Sequence, residues 1–188
     1  MRVSRSDCVL LVVDIQDRLV ETIAEHKSVV RNIGSLIKAA RVLEVPLLAT
    51  EQEKLGMTVS DLQTLLLDSP KFRKFSFSCC GDQAFMTKLR EIEKKTVIVC
   101  GIETHICVLQ TALDLLERQY QVLLVGDATS SHDPKDRDTA IDRMRGAGAT
   151  VGTTEAVIYE LTERAGTEQF RKILEIVKER RSASQTVQ

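Results

Sequence analysis

Tryptophan is missing from this sequence, aromatic residues make up only 4%, and 188 residues hold just 3 prolines and 9 glycines. The scarcity of aromatics argues against stacking platforms for single-stranded nucleic acid and against sugar-binding surfaces. With 43% hydrophobic residues and so little Pro and Gly, the chain is neither low-complexity nor disordered over most of its length. Neither sign of charge prevails: 26 basic and 27 acidic residues give a formal net charge of -1, so a basic footprint for nucleic acid is lacking. Long apolar runs are missing too. The first one, Cys8 to Val13, stops at Asp14 and is too short for a signal-peptide core or a membrane span. These absences leave small-molecule chemistry or protein contact, with no nucleic acid and no membrane as partner.

The five cysteines, Cys8, Cys79, Cys80, Cys100 and Cys107, form an odd set with no Cys-x-x-Cys pair and no spacing typical of small secreted domains. A reducing compartment is the simpler reading, and the expected location is the cytoplasm.

The length suits one domain. Cys8–Val13 is β-branched and apolar without alternation, as a strand covered on both faces requires. Similar runs recur at 45–50, 96–101 and 121–126, and more weakly at 149–153. Between them, helical stripes occupy roughly 27–44, 82–93, 105–118 and 136–145, and a last amphipathic helix carries Phe170, Ile173, Leu174 and Val177. Strands alternating with helices predict an α/β fold: a single domain with a doubly wound, mostly parallel sheet of about six strands and helices on both faces. Residues 1–181 are read as that domain and 182–188 as a flexible C-terminal tail. The glycine-containing stretch 146–152 follows a helix and enters a strand, the reverse of a phosphate loop, and is read as a helix C-cap.

In open parallel sheets, ligands bind beyond the carboxyl ends of the strands. That rule selects Asp14 and Gln16, then Glu51 and Gln52, then Glu103 to Cys107, then Asp127 to Asp133. Asp14 is either an N-cap for the segment that follows or a desolvated carboxylate raised toward a general base. Thr104 is a suitable N-cap that would set Cys107 at N3 of a helix, where free N–H groups and the dipole favour a thiolate; the alternative is a buried structural cysteine, a role that suits Cys100. His105 is a poor base for Cys107, because residues two apart on a helix diverge. His132 is either a pocket residue or part of a capped loop. In the alternating segment 71–78, an exposed edge strand with solvated lysines is the bland expectation, and physical grounds alone do not prefer Lys74 to Lys71.

The segments Val12-Val-Asp-Ile-Gln16, Lys74-Phe-Ser-Phe-Ser78 and Gly101-Ile-Glu-Thr-His-Ile-Cys-Val108 resemble, in order, the three signature segments of the isochorismatase-like cysteine hydrolase family. The similarity continues through Thr50-Glu-Gln52, Asp127-Ala-Thr-Ser-Ser131 and Thr153-Thr-Glu-Ala156, and the stretch from Cys100 is similar to the branch of isochorismatase domain-containing proteins. This resemblance implies a catalytic Asp14, Lys74 and Cys107, a cis peptide between Ile102 and Glu103, and an oxyanion held by backbone N–H groups of Cys107 and Glu103. It also implies a homo-oligomer. Nicotinamidases of this superfamily bind metal through an Asp-x-His segment where this chain has Glu51-Gln-Glu-Lys-Leu55, so no zinc and no other cofactor are expected.

The resulting expectation is a hydrolase that attacks a small amide-like substrate with Cys107 and passes through a thioester, with Gln16, Glu51, Gln52, Phe77, Thr104, His105 and Asp127 around the pocket. Phe77 and His105 are read equally well as packing residues. Two other functions compete. One is a thiol redox sensor pairing Cys107 with Cys79 or Cys80; the other is a binding protein that keeps the residues without turnover.

Overall fold

Every residue of β1 (Cys8–Val13) is buried because the strand lies inside a sheet covered on both faces. Cys8, Leu10 and Val12 enter one hydrophobic cluster, while Val9, Leu11 and Val13 enter the other. This explains why the run does not alternate. The computed structural model describes residues 2–185. After β1 come α1 (Asp17–Val20), α2 (His26–Val42), β2 (Leu47–Gln52), α3 (Ser60–Gln63), β3 (Lys71–Lys74), α4 (Gln83–Glu91) and β4 (Thr96–Ile102). A π turn, Thr104–Val108, leads into α5 (Leu109–Glu117), followed by β5 (Gln121–Ser130), α6 (Pro134–Gly146), β6 (Thr150–Gly152), α7 (Thr154–Thr162) and α8 (Glu168–Gln185).

The six strands form one sheet in the order β3-β2-β1-β4-β5-β6, and every neighbouring pair is parallel. Helices α2, α7 and α8 pack on one face, and α4, α5 and α6 on the other. The order reverses between β1 and β4, so the loops that leave these two strands open a crevice at their carboxyl ends. Asp14 follows β1, and the π turn with Cys107 follows β4.

Several boundaries differ from the sequence expectation. The second strand runs on through Gln52, so Glu51 and Gln52 lie within β2 and not in a loop after it. Strand β5 likewise extends through Ser130, because a register shift between Val99 and Gly101 lets it resume pairing with Gly101 and Ile102; Asp127 is therefore a strand residue. Helix α7, which buries Val157, Ile158 and Leu161, was not anticipated. The last helix continues to Gln185, so most of the expected tail from 182 is helical; residues 186–188 lie outside the described part. The glycine stretch does end a helix: Gly148 adopts φ +111° just beyond α6, and the N–H groups of Gly148 and Ala149 return to the carbonyls of Arg145 and Met144.

Glycine is required at 101 by contact as well as by backbone angle. Its φ is +125°, and a Cβ there would lie 2.1 Å from the Val13 carbonyl oxygen, in the backbone leading to Asp14. Gly101→Ala is therefore expected to lower unfolding free energy by about 3 kcal/mol or more, or to prevent folding. Urea denaturation followed by circular dichroism checks this, and a loss below about 1 kcal/mol would contradict the required close approach.

Candidate active site

At the end of β1 the backbone turns through a left-handed residue, Asp14, with φ +50°, a conformation that aspartate tolerates better than most side chains. The carboxylate is fully buried. Its Oδ1 accepts a hydrogen bond from Thr50 Oγ1 at 2.8 Å, and its Oδ2 accepts one from Lys74 Nζ at 2.7 Å. Asp14 does not cap α1, whose N-cap residue is Gln16. Thr50, which sequence reasoning overlooked, pairs with Val13 in the parallel ladder and so reaches the residue after it.

Lys74 departs from the picture of a solvated edge lysine. It closes the edge strand β3, yet only 1% of it is exposed. Side chains alternate along β3, so Lys71 and Arg73 face the other way and reach Glu51 at 3.3 and 3.6 Å, while Lys74 turns in beneath the loop that follows. Its ammonium donates to Asp14 Oδ2, to Gln52 Oε1 at 2.8 Å, and to the carbonyls of Phe77 at 3.0 Å and Ser76 at 3.2 Å. Three N–H groups thus serve four acceptors, and none remains for a further partner. Burial is the largest influence and works against the charge, but Asp14 and the nearby sulfurs of Cys79 and Cys107 together hold the lysine above its usual value.

Cys107 sits in the π turn that opens from Glu103, and 7% of the residue is exposed. The peptide bond between Ile102 and Glu103 is cis. The turn differs from the expected α-helical start with Thr104 as N-cap. Glu103 occupies the N-cap position, and its carbonyl accepts from the N–H groups of both Ile106 and Val108 at 3.2 Å. Thr104 is buried instead: Thr129 donates its only hydroxyl proton to the Gly101 carbonyl at 2.8 Å, so Thr104 is the donor in the 2.8 Å contact with Thr129. The expected dipole-stabilised thiolate is corrected as well. Burial, together with the charge and hydrogen bonding of Asp14, pushes the Cys107 thiol well above its ordinary value, and Lys74 pulls it only partly back. The centre therefore sets the Asp14–Lys74 ion pair beside a thiol whose ionisation is opposed by burial and by Asp14.

Of the other expected pocket residues, Gln52 joins the centre directly through Lys74, and its Nε2 donates to the Phe75 carbonyl at 2.9 Å. Gln16 is a clasp: its Oε1 accepts from Gln52 N and its Nε2 donates to the carbonyls of Gln52 and Gly56. Glu51 is occupied on the opposite side of β2 by Thr58, Lys71 and Arg73; burial opposes its charge, but Thr58 and Lys71 hold its carboxyl below the usual range. Phe77 contributes its carbonyl to Lys74 while 54% of the residue stays exposed. His105 contacts Ser131 Oγ at 2.9 Å and lies 3.8 to 3.9 Å from Asp136 and Glu103. His132 is engaged by the Thr22 carbonyl. Asp127 is engaged by α7: its Oδ1 accepts from the N–H and hydroxyl of Thr154 at the start of that helix.

Cys79 and Cys80 are buried free thiols, pushed up to about 12 and about 11 chiefly by burial, which disfavours the thiolate a resolving partner must supply. Among the described residues no group of three or more His, Cys, Asp or Glu side chains is placed to hold a metal ion, and no helix is long and apolar enough to cross a membrane. A cleft of about 610 Å³ lies between α2, α3 and the end of α8, on the other sheet face, and none of the three central residues lines it.

Comparison with known proteins agrees with this architecture. The Isochorismatase domain family matches residues 8–156. Isochorismatase domain-containing protein 2A of Mus musculus is 37% identical over 182 residues, spanning 95% of this chain and 86% of its own. The structure described as MAR1 ribonuclease from Caenorhabditis elegans superposes with a TM-score of 0.89 at 36% identity, covering 94% of this chain and 92% of that one. YcaC from Pseudomonas aeruginosa, described with hexane-2,5-diol and covalent acrylamide, has a TM-score of 0.89 at 25% identity and covers 99% and 96%. With a matching family over most of its length and relatives above one third identity, this chain belongs to the isochorismatase-domain family and carries its hydrolase fold.

Proposed function

We propose that this protein hydrolyses a C–N bond of a small amide-like substrate, with Cys107 as nucleophile, Asp14 as proton acceptor and Lys74 as their electrostatic partner. The observation that carries this reading is the buried 2.7 Å ion pair between Asp14 and Lys74 at the sheet's switch point, acting electrostatically on the Cys107 thiol. Because burial and Asp14 keep that thiol protonated at rest, attack and deprotonation occur together. Sulfur bonds to the carbonyl carbon as its proton passes to Asp14, with the oxyanion against the N–H groups of Cys107 and Glu103. Asp14 then returns the proton to the leaving nitrogen as the C–N bond breaks, and water hydrolyses the thioester. Lys74 has no N–H to spare, so its part is charge and not proton donation.

The covalent acrylamide named for the Pseudomonas protein supports the reading, since acrylamide is both an amide and a thiol-reactive electrophile. The ribonuclease named for the worm protein is that protein's description; a formal net charge of -1 favours a small-molecule substrate here. The reaction needs no metal. A homo-oligomer is part of the same reading, with the exposed Leu67 and Phe75 as surfaces a second copy would cover.

Two outcomes test this. In a panel of small amides, wild type is expected to release amine and accumulate an acyl adduct on Cys107. Cys107→Ala should abolish both, while a chelator leaves the rate unchanged; wild-type inactivity across a broad panel would remove the proposal. Asp14→Asn separates charge from base. Removing the carboxylate that raises the thiol leaves Lys74 facing sulfur alone, so the midpoint of Cys107 alkylation by iodoacetamide should fall by about one pH unit or more. Turnover in the same variant should drop roughly 10²- to 10⁴-fold. A midpoint that stays or rises would contradict the electrostatic arrangement.

A further inference from the structure

Among the side chains hydrogen-bonded to Lys74, Asp14 is charged and Gln52 is neutral, and Gln52 is held from every side. Its backbone N–H donates to Gln16 Oε1 at 2.8 Å, its Nε2 to the Phe75 carbonyl at 2.9 Å, and its Oε1 accepts from Lys74 at 2.8 Å. The bond to Phe75 fixes which end of the amide faces the ammonium, because a carbonyl can accept only from the Nε2 end. Pairing of Gln52 with Lys74 in the parallel ladder supplies the register. Lys74 thus has one anionic partner, Asp14, and three neutral acceptors: Gln52 and the carbonyls of Ser76 and Phe77.

We infer that Gln52 is a positioning residue for the nucleophile: it completes the shell of Lys74 with a neutral acceptor, so that a single anion, Asp14, shares the ammonium whose charge also acts on the sulfur of Cys107. This inference rests on the proposed role of Cys107 and concerns its ionisation. A carboxylate has the same reach as the Gln52 amide, and in its place it would share the ammonium between two anions. The site charge would shift from zero to minus one, and the thiolate would be opposed by two negative groups against one positive. It would also lack the donor that the Phe75 carbonyl now receives. The clasp by Gln16 holds the backbone and leaves the side-chain amide to act on Lys74.

The test is a charge exchange read on the thiol itself. Iodoacetamide alkylation of Cys107, followed against pH by peptide mass spectrometry, gives the midpoint in wild type, Gln52→Glu, Asp14→Asn and the double variant. Gln52→Glu is expected to raise the midpoint by about one unit, slowing alkylation about tenfold at a fixed pH below it. Asp14→Asn lowers the midpoint, and adding Gln52→Glu to it moves the negative charge from one side of Lys74 to the other and should bring the midpoint back up toward wild type. General structural damage would not produce that restoration. If Gln52→Glu alone does not fold, the double variant compared with Asp14→Asn carries the test, because its site charge is again that of wild type. An identical midpoint in the double variant and in Asp14→Asn would overturn the inference. The readout requires no substrate, so a chain that shows these shifts but hydrolyses nothing would sink the hydrolase proposal and leave the role of Gln52 standing, and turnover without the shifts would do the reverse.

Discussion

The ion pair between Asp14 and Lys74 is the constraint around which the end of this sheet is organised. Both groups are sealed from solvent, and leaving either one alone there would cost about 3–5 kcal/mol. Such a pair persists only when its remaining lone pairs and protons are satisfied. Thr50, Gln52 and two loop carbonyls supply that satisfaction. The supply depends on strand register. Thr50 and Gln52 are two apart on β2 and share a face, so one meets the carboxylate after β1 and the other meets the ammonium at the end of β3. Glu51, between them, points to the opposite face and meets Lys71 and Arg73, which alternate with Lys74 in the same way. A one-residue slip of β2 would exchange the two sets and bury unpaired charge on both faces.

The same arrangement explains why this cysteine does not behave as a thiol at a helix N-terminus would. A dipole-stabilised thiolate is reactive toward any electrophile or oxidant that reaches it. Here burial and the neighbouring Asp14 both oppose ionisation, and the ammonium only partly offsets them. Cys79 lies in the same polar cluster, with its sulfur 3.6 Å from Thr50 Oγ1, yet burial holds its proton more firmly than an ordinary thiol, which leaves the redox-sensor alternative without physical support.

What the sequence revealed follows from the range of each interaction. Strands β1, β4 and β5 are legible because each is an apolar run whose burial on two faces is written in its own residues. The crevice follows from strand alternation and the rule for open sheets, and this is enough to place Asp14 and Cys107 among the candidates. Lys74 is different. Nothing within the 71–78 segment separates it from Lys71, because what separates them is the register of β3 against β2, 22 residues away in the Gln52–Lys74 bond; only the family resemblance selected it. Thr50 was hidden for the same reason. The placement of Asp127 within β5 was not legible because the bulge that returns β5 to its partner strand is a property of two strands together, and Thr104 is not the N-cap because its hydroxyl finds Thr129 on the neighbouring strand in preference to its own helix.

The loop after β3 is tied to the same ammonium, and this links the site's electrostatics to its covering. Lys74 donates to the carbonyls of Ser76 and Phe77, and Gln52 Nε2 donates to that of Phe75. The backbone of the loop is thereby drawn inward, while Phe75 and Phe77 are left 79% and 54% exposed. Exposed aromatic side chains over a fastened backbone are what a segment looks like when its conformation is dictated by polar contacts beneath it and not by its own hydrophobicity. Four acceptors share three protons, and the contact to the Ser76 carbonyl at 3.2 Å is the longest of them. The carboxylate and the chain segment that borders it are therefore tied to one ammonium.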